Sequence, residues 1–159
     1  MVGVFPALRF EHRHPTGESI LSQPKSLHDL AGKLAAIDIA MLSTHSRDGH
    51  IASRPMSNNG EVNAKGDSYY FTWEDSHMVS DIQADPKVAL AFQADPHCMV
   101  AIEGEAELVR DKGRFQEHWK PELDEWFEQG PETPGVVMIK VHAVRAHYWE
   151  GEKSVELAV

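Results

Sequence analysis

Between Cys98 and Val109 the chain alternates: Val100, Ile102, Ala106 and Leu108 share one parity, and Glu103, Glu105 and Glu107 the other. A strand, with its period of two, sorts these residues onto two faces, one buried and one solvated. That division belongs to antiparallel sheets, because parallel strands are covered on both sides. A fold containing this segment therefore needs antiparallel neighbours for it.

Neighbours are readable. Ile39–His45 forms one expected strand, closed by a tight Arg47-Asp48-Gly49 turn. A second strand runs from His50 through Arg54-Pro55-Met56 to Asn58-Asn59-Gly60, a strong turn signal. Asp67–Trp73 places Tyr69, Phe71 and Trp73 on one face and Ser68, Tyr70 and Thr72 on the other. Residues 87–93 form another strand, and residues 136–149 one long enough to bend between two parts of a sheet.

Helical signals fall between the strands. Ser26 and Asp29 form a capping box ahead of Leu27, Leu30, Ala31 and Leu34 at helical spacing. Asp75 or Ser76 caps a short helix carrying Met78, Val79 and Ile82, which Asp85-Pro86 ends. A further helical stretch holds Phe115, His118 and Trp119 before Pro121, then Leu123, Trp126 and Phe127. Six strands with helices in the connections predict a mainly β (β+α) domain, a six-stranded antiparallel barrel with accessory helices. At 159 residues the chain suits one domain over 26–159, after a Pro-rich N-terminal arm, 1–25, that is partly ordered at best.

Charge narrows the partners. With 25 acidic and 15 basic residues the formal net charge is −10, which disfavours nucleic acid and anionic membrane surfaces. A small phosphorylated ligand stays open, since a local cluster of donors outweighs a distant average. No run approaches a bilayer span, and residues 2–8, interrupted by Pro6, lack the features of a signal peptide. With Cys98 as the single cysteine, the expected location is cytoplasmic.

Ten histidines give no metal-site spacing, so no metal is expected. No serine sits in a Gly-x-Ser-x-Gly elbow, and Cys98 has no evident activating partner. More informative is Trp73-Glu74-Asp75-Ser76-His77, where a strand, a turn and a helix N-terminus would aim N–H groups at one anion-sized spot. Arg54 on a neighbouring strand would add a fixed positive fork, and nothing in the sequence gives it a core role. Trp119 and Trp126 flank Pro121, where they can border a pocket for a flat ring.

Taken together, these pieces resemble the pyridoxamine 5′-phosphate oxidase-like family of flavin-binding split barrels, in its general stress protein branch. The likeness runs from about Leu27 to Glu150. It rests on Ser53-Arg54-Pro55-Met56, Tyr70-Phe71-Thr72-Trp73, Ser76, Ala84-Asp85-Pro86-Lys87-Val88-Ala89-Leu90 and Ile102-Glu103-Gly104-Glu105-Ala106. Trp119, Trp126-Phe127 and Tyr148-Trp149-Glu150 continue it in order.

The resemblance implies a split barrel that dimerises around FMN, with FAD as the alternative, in a cleft at the subunit interface. It implies that Arg54, Pro55, Met56 and Ser57 run along the flavin ring. Tyr70, Phe71, Thr72 and Trp73 would supply backbone contacts, Ser76 and His77 would sit near the phosphate, and Trp126 would border the ring. Many relatives carry a lysine where this chain has Met78, so phosphate neutralisation would fall to Arg54, His77 and the helix N-terminus. The ending Lys153-Ser154-Val155-Glu156-Leu157-Ala158-Val159 lacks the Arg-Leu-x-Pro-type segment with which pyridoxamine phosphate oxidases grip their substrate. The implied function is a flavin-dependent oxidoreductase or redox-responsive stress protein acting on an unspecified small molecule. The alternatives are a non-catalytic module for flavin or another flat cofactor, and a dimeric scaffold that has lost its ligand. No catalytic residue is assigned.

Overall fold

The computed structural model describes residues 24–63 and 65–159, so almost all of the expected arm lies outside the described residues. Helix α1 (Leu27–Ala35) starts at the capping box: Ser26 Oγ accepts from the Asp29 N–H at 3.3 Å, and the Asp29 carboxylate accepts from the Ser26 N–H at 3.1 Å. Its Leu27, Leu30 and Leu34 enter the core. Strands β1 (Ile39–His45), β2 (Ile51–Ser57) and β3 (Asp67–Trp73) follow, then α2 (His77–Ala84), β4 (Lys87–Asp95) and β5 (Cys98–Val109). Helix α3 (Lys112–His118) and two 3-10 turns, Pro121–Glu125 and Gly130–Glu132, lead to β6 (Val136–Glu150) and β7 (Lys153–Ala158).

The strands form one antiparallel sheet in the order β2-β1-β4-β5-β6-β3, with β7 beside the second half of β6. The six expected strands are present, and β7 is a seventh. Long β6 serves two partners on one edge: β3 pairs with it as far as His142, and β7 begins at Arg145. Between them the β5–β6 register slips, with Glu103 opposite Arg145 but Gly104 opposite Ala143, leaving Val144 as the extra residue. Such a bulge bends its strand. Gly104 is required there, because an added Cβ would lie 2.5 Å from the His142 carbonyl oxygen.

Two apolar clusters hold the sheet. The larger, inside the curl, gathers Leu30, Leu42, Leu90, Ile102, Tyr70 and Met78. The smaller lies beyond β3 and β6, where Tyr69, Phe71 and Met138 meet Phe115, Leu123 and Phe127. Strand β3 is thus covered on both faces, which explains the nearly complete burial of its aromatic run. Ser76 caps α2, its Oγ accepting from the Val79 N–H at 3.4 Å. Among the described residues no helix is long and apolar enough to cross a membrane.

Strands β2 and β3 end the path and do not pair with each other. That unclosed seam positions the site.

Candidate functional site

A cleft of about 750 Å³ opens at the seam. One wall is the end of β2 with its turn: Pro55, Met56, Ser57, then Asn58, Asn59 and Gly60. The other is the end of β3, Phe71, Thr72 and Trp73. The α1–β1 junction contributes Ala35, Asp38 and Ile39, and the segment after α3 contributes Lys120, Glu122, Leu123, Trp126 and Phe127.

Asparagine side chains fix these walls. The Asn58 amide donates at 2.7 Å to both the Leu34 and Ile37 carbonyls, satisfying the exposed end of α1. Its backbone N–H donates to the Asp38 carbonyl at 2.8 Å. Asn59 donates to the His118 carbonyl, tying the turn to the end of α3. Beside that contact, His118 Nδ1 lies 3.0 Å from Glu61 Oε2, and its ring stacks on Tyr69 at 3.5 Å. Gly60 turns the chain with φ of 66°, and a Cβ there would meet the Ala35 carbonyl oxygen at 3.2 Å.

Aromatic packing rigidifies the β3 side. Trp73 meets Phe127 edge-on at 4.9 Å, and Trp119 contacts Phe71 at 4.8 Å while its indole N–H donates to Asp124 at 2.8 Å. Trp126 is the exception: it is 69% exposed at the mouth of the cleft. A slot of this volume with aromatic walls, a strand edge and a few polar groups fits a flat heteroaromatic ligand.

Pro55, Met56, Ser57, Phe71, Thr72, Trp73 and Trp126, all expected at the site, line this one cleft. Arg54, Tyr70, Ser76 and His77 do not. Tyr70 points into the barrel, and burial pushes its pKa up to about 12. Its hydroxyl has no hydrogen-bond partner among the described residues. Only its backbone is left to act nearby, and that pairs with Ile139 in the ladder. His77 is exposed on the first turn of α2, whereas Met78 is 4% exposed and packed in the main core.

Arg54 differs most from the sequence reading. Its Nη1 donates to Thr44 Oγ1 at 2.8 Å and to the Leu42 carbonyl at 3.4 Å, and its Nη2 lies 3.7 Å from Asp81 Oδ2. The Thr44 hydroxyl donates to the same carboxylate oxygen at 2.9 Å. Burial pulls the guanidinium below its ordinary pKa, and Asp81 opposes that shift. Arg54 therefore does have a structural role, as counter-charge to a buried aspartate between β1, β2 and α2.

The sequence reading missed Ala35, Asp38, Ile39, Asn58, Asn59, Gly60, Lys120, Glu122, Leu123 and Phe127 as lining residues. Asn58-Asn59-Gly60 carried the available signal, but as a turn rather than as a wall. Among the described residues no group of three or more His, Cys, Asp or Glu side chains is placed to hold a metal ion.

The family model described as pyridoxamine 5′-phosphate oxidase like matches residues 25–159. The chain belongs to that family. Protein bli-3 of Neurospora crassa is 26% identical over 141 residues, covering 82% of this chain and 68% of its own length. A Clostridium acetobutylicum protein related to general stress protein 26 superposes with a TM-score of 0.75 at 16% identity, covering 84% of this chain and 94% of that one. The general stress FMN/FAD binding protein of Xanthomonas citri superposes at 0.66 with 23% identity, covering 79% and 89%. These two likenesses fix the fold of this pyridoxamine 5′-phosphate oxidase-like chain.

Proposed function

We propose that this protein is a flavin-binding homodimer, with FMN as the expected cofactor and FAD as the alternative, serving as a flavin-dependent oxidoreductase or redox-responsive stress protein. The observation that carries the reading is the seam cleft, where Trp73, Trp126 and Phe127 share one slot with the β2 edge at Pro55 to Ser57. The ring portion of a flavin fits those walls. Thr72, Ser57 and Asn58 offer polar atoms for its edge, and Pro55 contributes shape without an N–H. The Xanthomonas citri neighbour, described as FMN/FAD binding, supports the choice of ligand. A bound flavin would supply the electron or hydride transfer, and the protein the orientation and exclusion of water.

Proton handling has few candidates. No His, Cys or Tyr lines the cleft among the described residues, which leaves Asp38, Lys120 and Glu122. That poverty favours a second reading, a non-catalytic flavin carrier or sensor. Steady-state turnover with NADH or NADPH and an artificial acceptor separates the two.

The homodimer is supported by the outer face of β1, β4, β5 and β6. Register places Pro55, Met41, Ala91, Ala101 and His147 in one row, with Gln93, Met99 and Trp149 in the next. Ile39, Met41, Met99 and Trp149 are all exposed there, and Ile39 and Pro55 also line the cleft. An apolar face of this kind suits a second copy. Light scattering should report twice the 17.8 kDa chain mass, and a monomer at micromolar concentration would refute the dimer. The visible spectrum tests the cofactor: flavin bands, native or after adding FMN or FAD, are expected. A colourless protein that ignores both overturns the reading.

A further inference from the structure

We infer that this site recognises a flavin by its ring and not by its phosphate, and that Asp81 is the specificity-determining residue because it retains the Arg54 charge inside the fold. The inference rests on the flavin reading and adds a ligand preference: riboflavin, FMN and FAD should bind with closely similar affinity.

Charge placement carries the argument. A phosphate monoester brings nearly two negative charges and needs fixed donors to offset its desolvation. Among the described residues of one chain, the cleft lining offers one cation, Lys120, against two carboxylates, Asp38 and Glu122. The neighbouring cation on β2, Arg54, is engaged elsewhere. One guanidinium nitrogen is shared between Thr44 and the Leu42 carbonyl, and the other faces Asp81, whose side chain is 8% exposed. None of these partners lines the cleft. Moving Arg54 onto a phosphate would strip a buried carboxylate of its counter-charge, so the cost of release opposes phosphate binding.

The helix N-terminus at Ser76 does not repair the deficit. Before it come two acids: Glu74 is held bidentately by Arg110, and Asp75 has no ion pair among the described residues. Within the first turn, Met78 is buried. A net charge of −10 adds a weak repulsion of the same sign.

Titration of the full chain, stripped of bound flavin, with riboflavin, FMN and FAD tests this. In the wild type the riboflavin and FMN dissociation constants should agree within about threefold, and FMN affinity should change less than about twofold between low and high salt. Asp81→Asn keeps an oxygen to accept from Thr44 and removes the carboxylate charge. It should tighten FMN about tenfold relative to riboflavin, with a new salt dependence. FMN binding at least tenfold tighter than riboflavin in the wild type would overturn the inference while leaving the flavin reading intact. A folded Asp81→Asn protein with an unchanged ratio would do the same. Should the variant not fold, the wild-type ratio and salt response still decide. Failure of every flavin to bind the wild type overturns the flavin reading itself, and this inference with it.

Discussion

Lysine at position 78 is expected to damage this chain rather than improve phosphate binding. Met78 is 4% exposed and packs with Ile82 and the barrel core, so Met78→Lys removes a buried thioether and brings in an ammonium. Losing a buried methionine side chain costs about 1.5–3 kcal/mol. Keeping a lysine neutral at pH 7 costs about 1.4 kcal/mol for each unit between pH 7 and its ordinary pKa of about 10.4, so roughly 4–5 kcal/mol is a ceiling for the charge. Stretching the amine towards solvent lowers that while forfeiting packing. The expected net loss is about 2–4 kcal/mol, a large share of the roughly 5–15 kcal/mol that holds a domain together.

Urea unfolding at pH 7 and pH 10 checks both magnitude and cause. A buried lysine has a depressed folded pKa, so between that value and its unfolded pKa the unfolded chain binds more protons and stability rises with pH. The deficit of the variant should therefore shrink towards pH 10. FMN and riboflavin titrations should change in parallel, if at all. A midpoint within about 0.5 kcal/mol of wild type, together with a gain for FMN alone, would refute the reasoning. It would show that the first turn of α2 faces the ligand.

Arg54→Ala should destabilise the fold by about 1–3 kcal/mol in urea unfolding, below the range for a fully buried pair because a quarter of the side chain is exposed; an unchanged midpoint would remove its structural role. Trp126→Ala should leave stability within about 0.5 kcal/mol, since the indole is largely exposed, but weaken flavin binding by about 1 kcal/mol; unaltered affinity would take Trp126 out of the site. Burial alone would raise the pKa of Asp67, but His142 Nδ1 at 2.7 Å, Asn63 and Lys140 outweigh it and hold the carboxyl below its ordinary 3.8. Its contribution is thus present above 3.8 and lost as pH falls through the lower folded value, so Asp67→Asn should flatten the acid limb of the stability curve. Parallel acid unfolding of wild type and variant by circular dichroism would contradict this.

The strands were legible where period and punctuation agreed. β5 announces itself because its acids all fall on one parity, and β3 because its aromatic run is bounded by Gly66 and the Ser76 cap. Strand β7 was not legible. Only Val155 and Leu157 alternate within it, its other positions are polar or small, and pairing with β6 stabilises it more than any local pattern. A mostly exposed strand of six residues carries too little hydrophobic contrast to stand out from a polar tail.

The site divides along the same line between local and distant causes. Pro55 lies on β2, an edge of the sheet, where a missing N–H leaves no gap in a ladder and discourages another strand from adding there. The proline thus helps keep the seam open, and the same seam supplies the cleft wall. All of that is written in the adjacent Arg-Pro-Met and Asn-Asn-Gly residues. The fate of the Arg54 charge is written elsewhere, in Asp81 on a helix that only the folded chain brings within 3.7 Å. A motif shows which residues stand beside a ligand site, but whether their charges are free to serve it depends on partners that the motif does not contain. In this chain the edge that lines the cleft is local, and the ion pair that engages Arg54 is not.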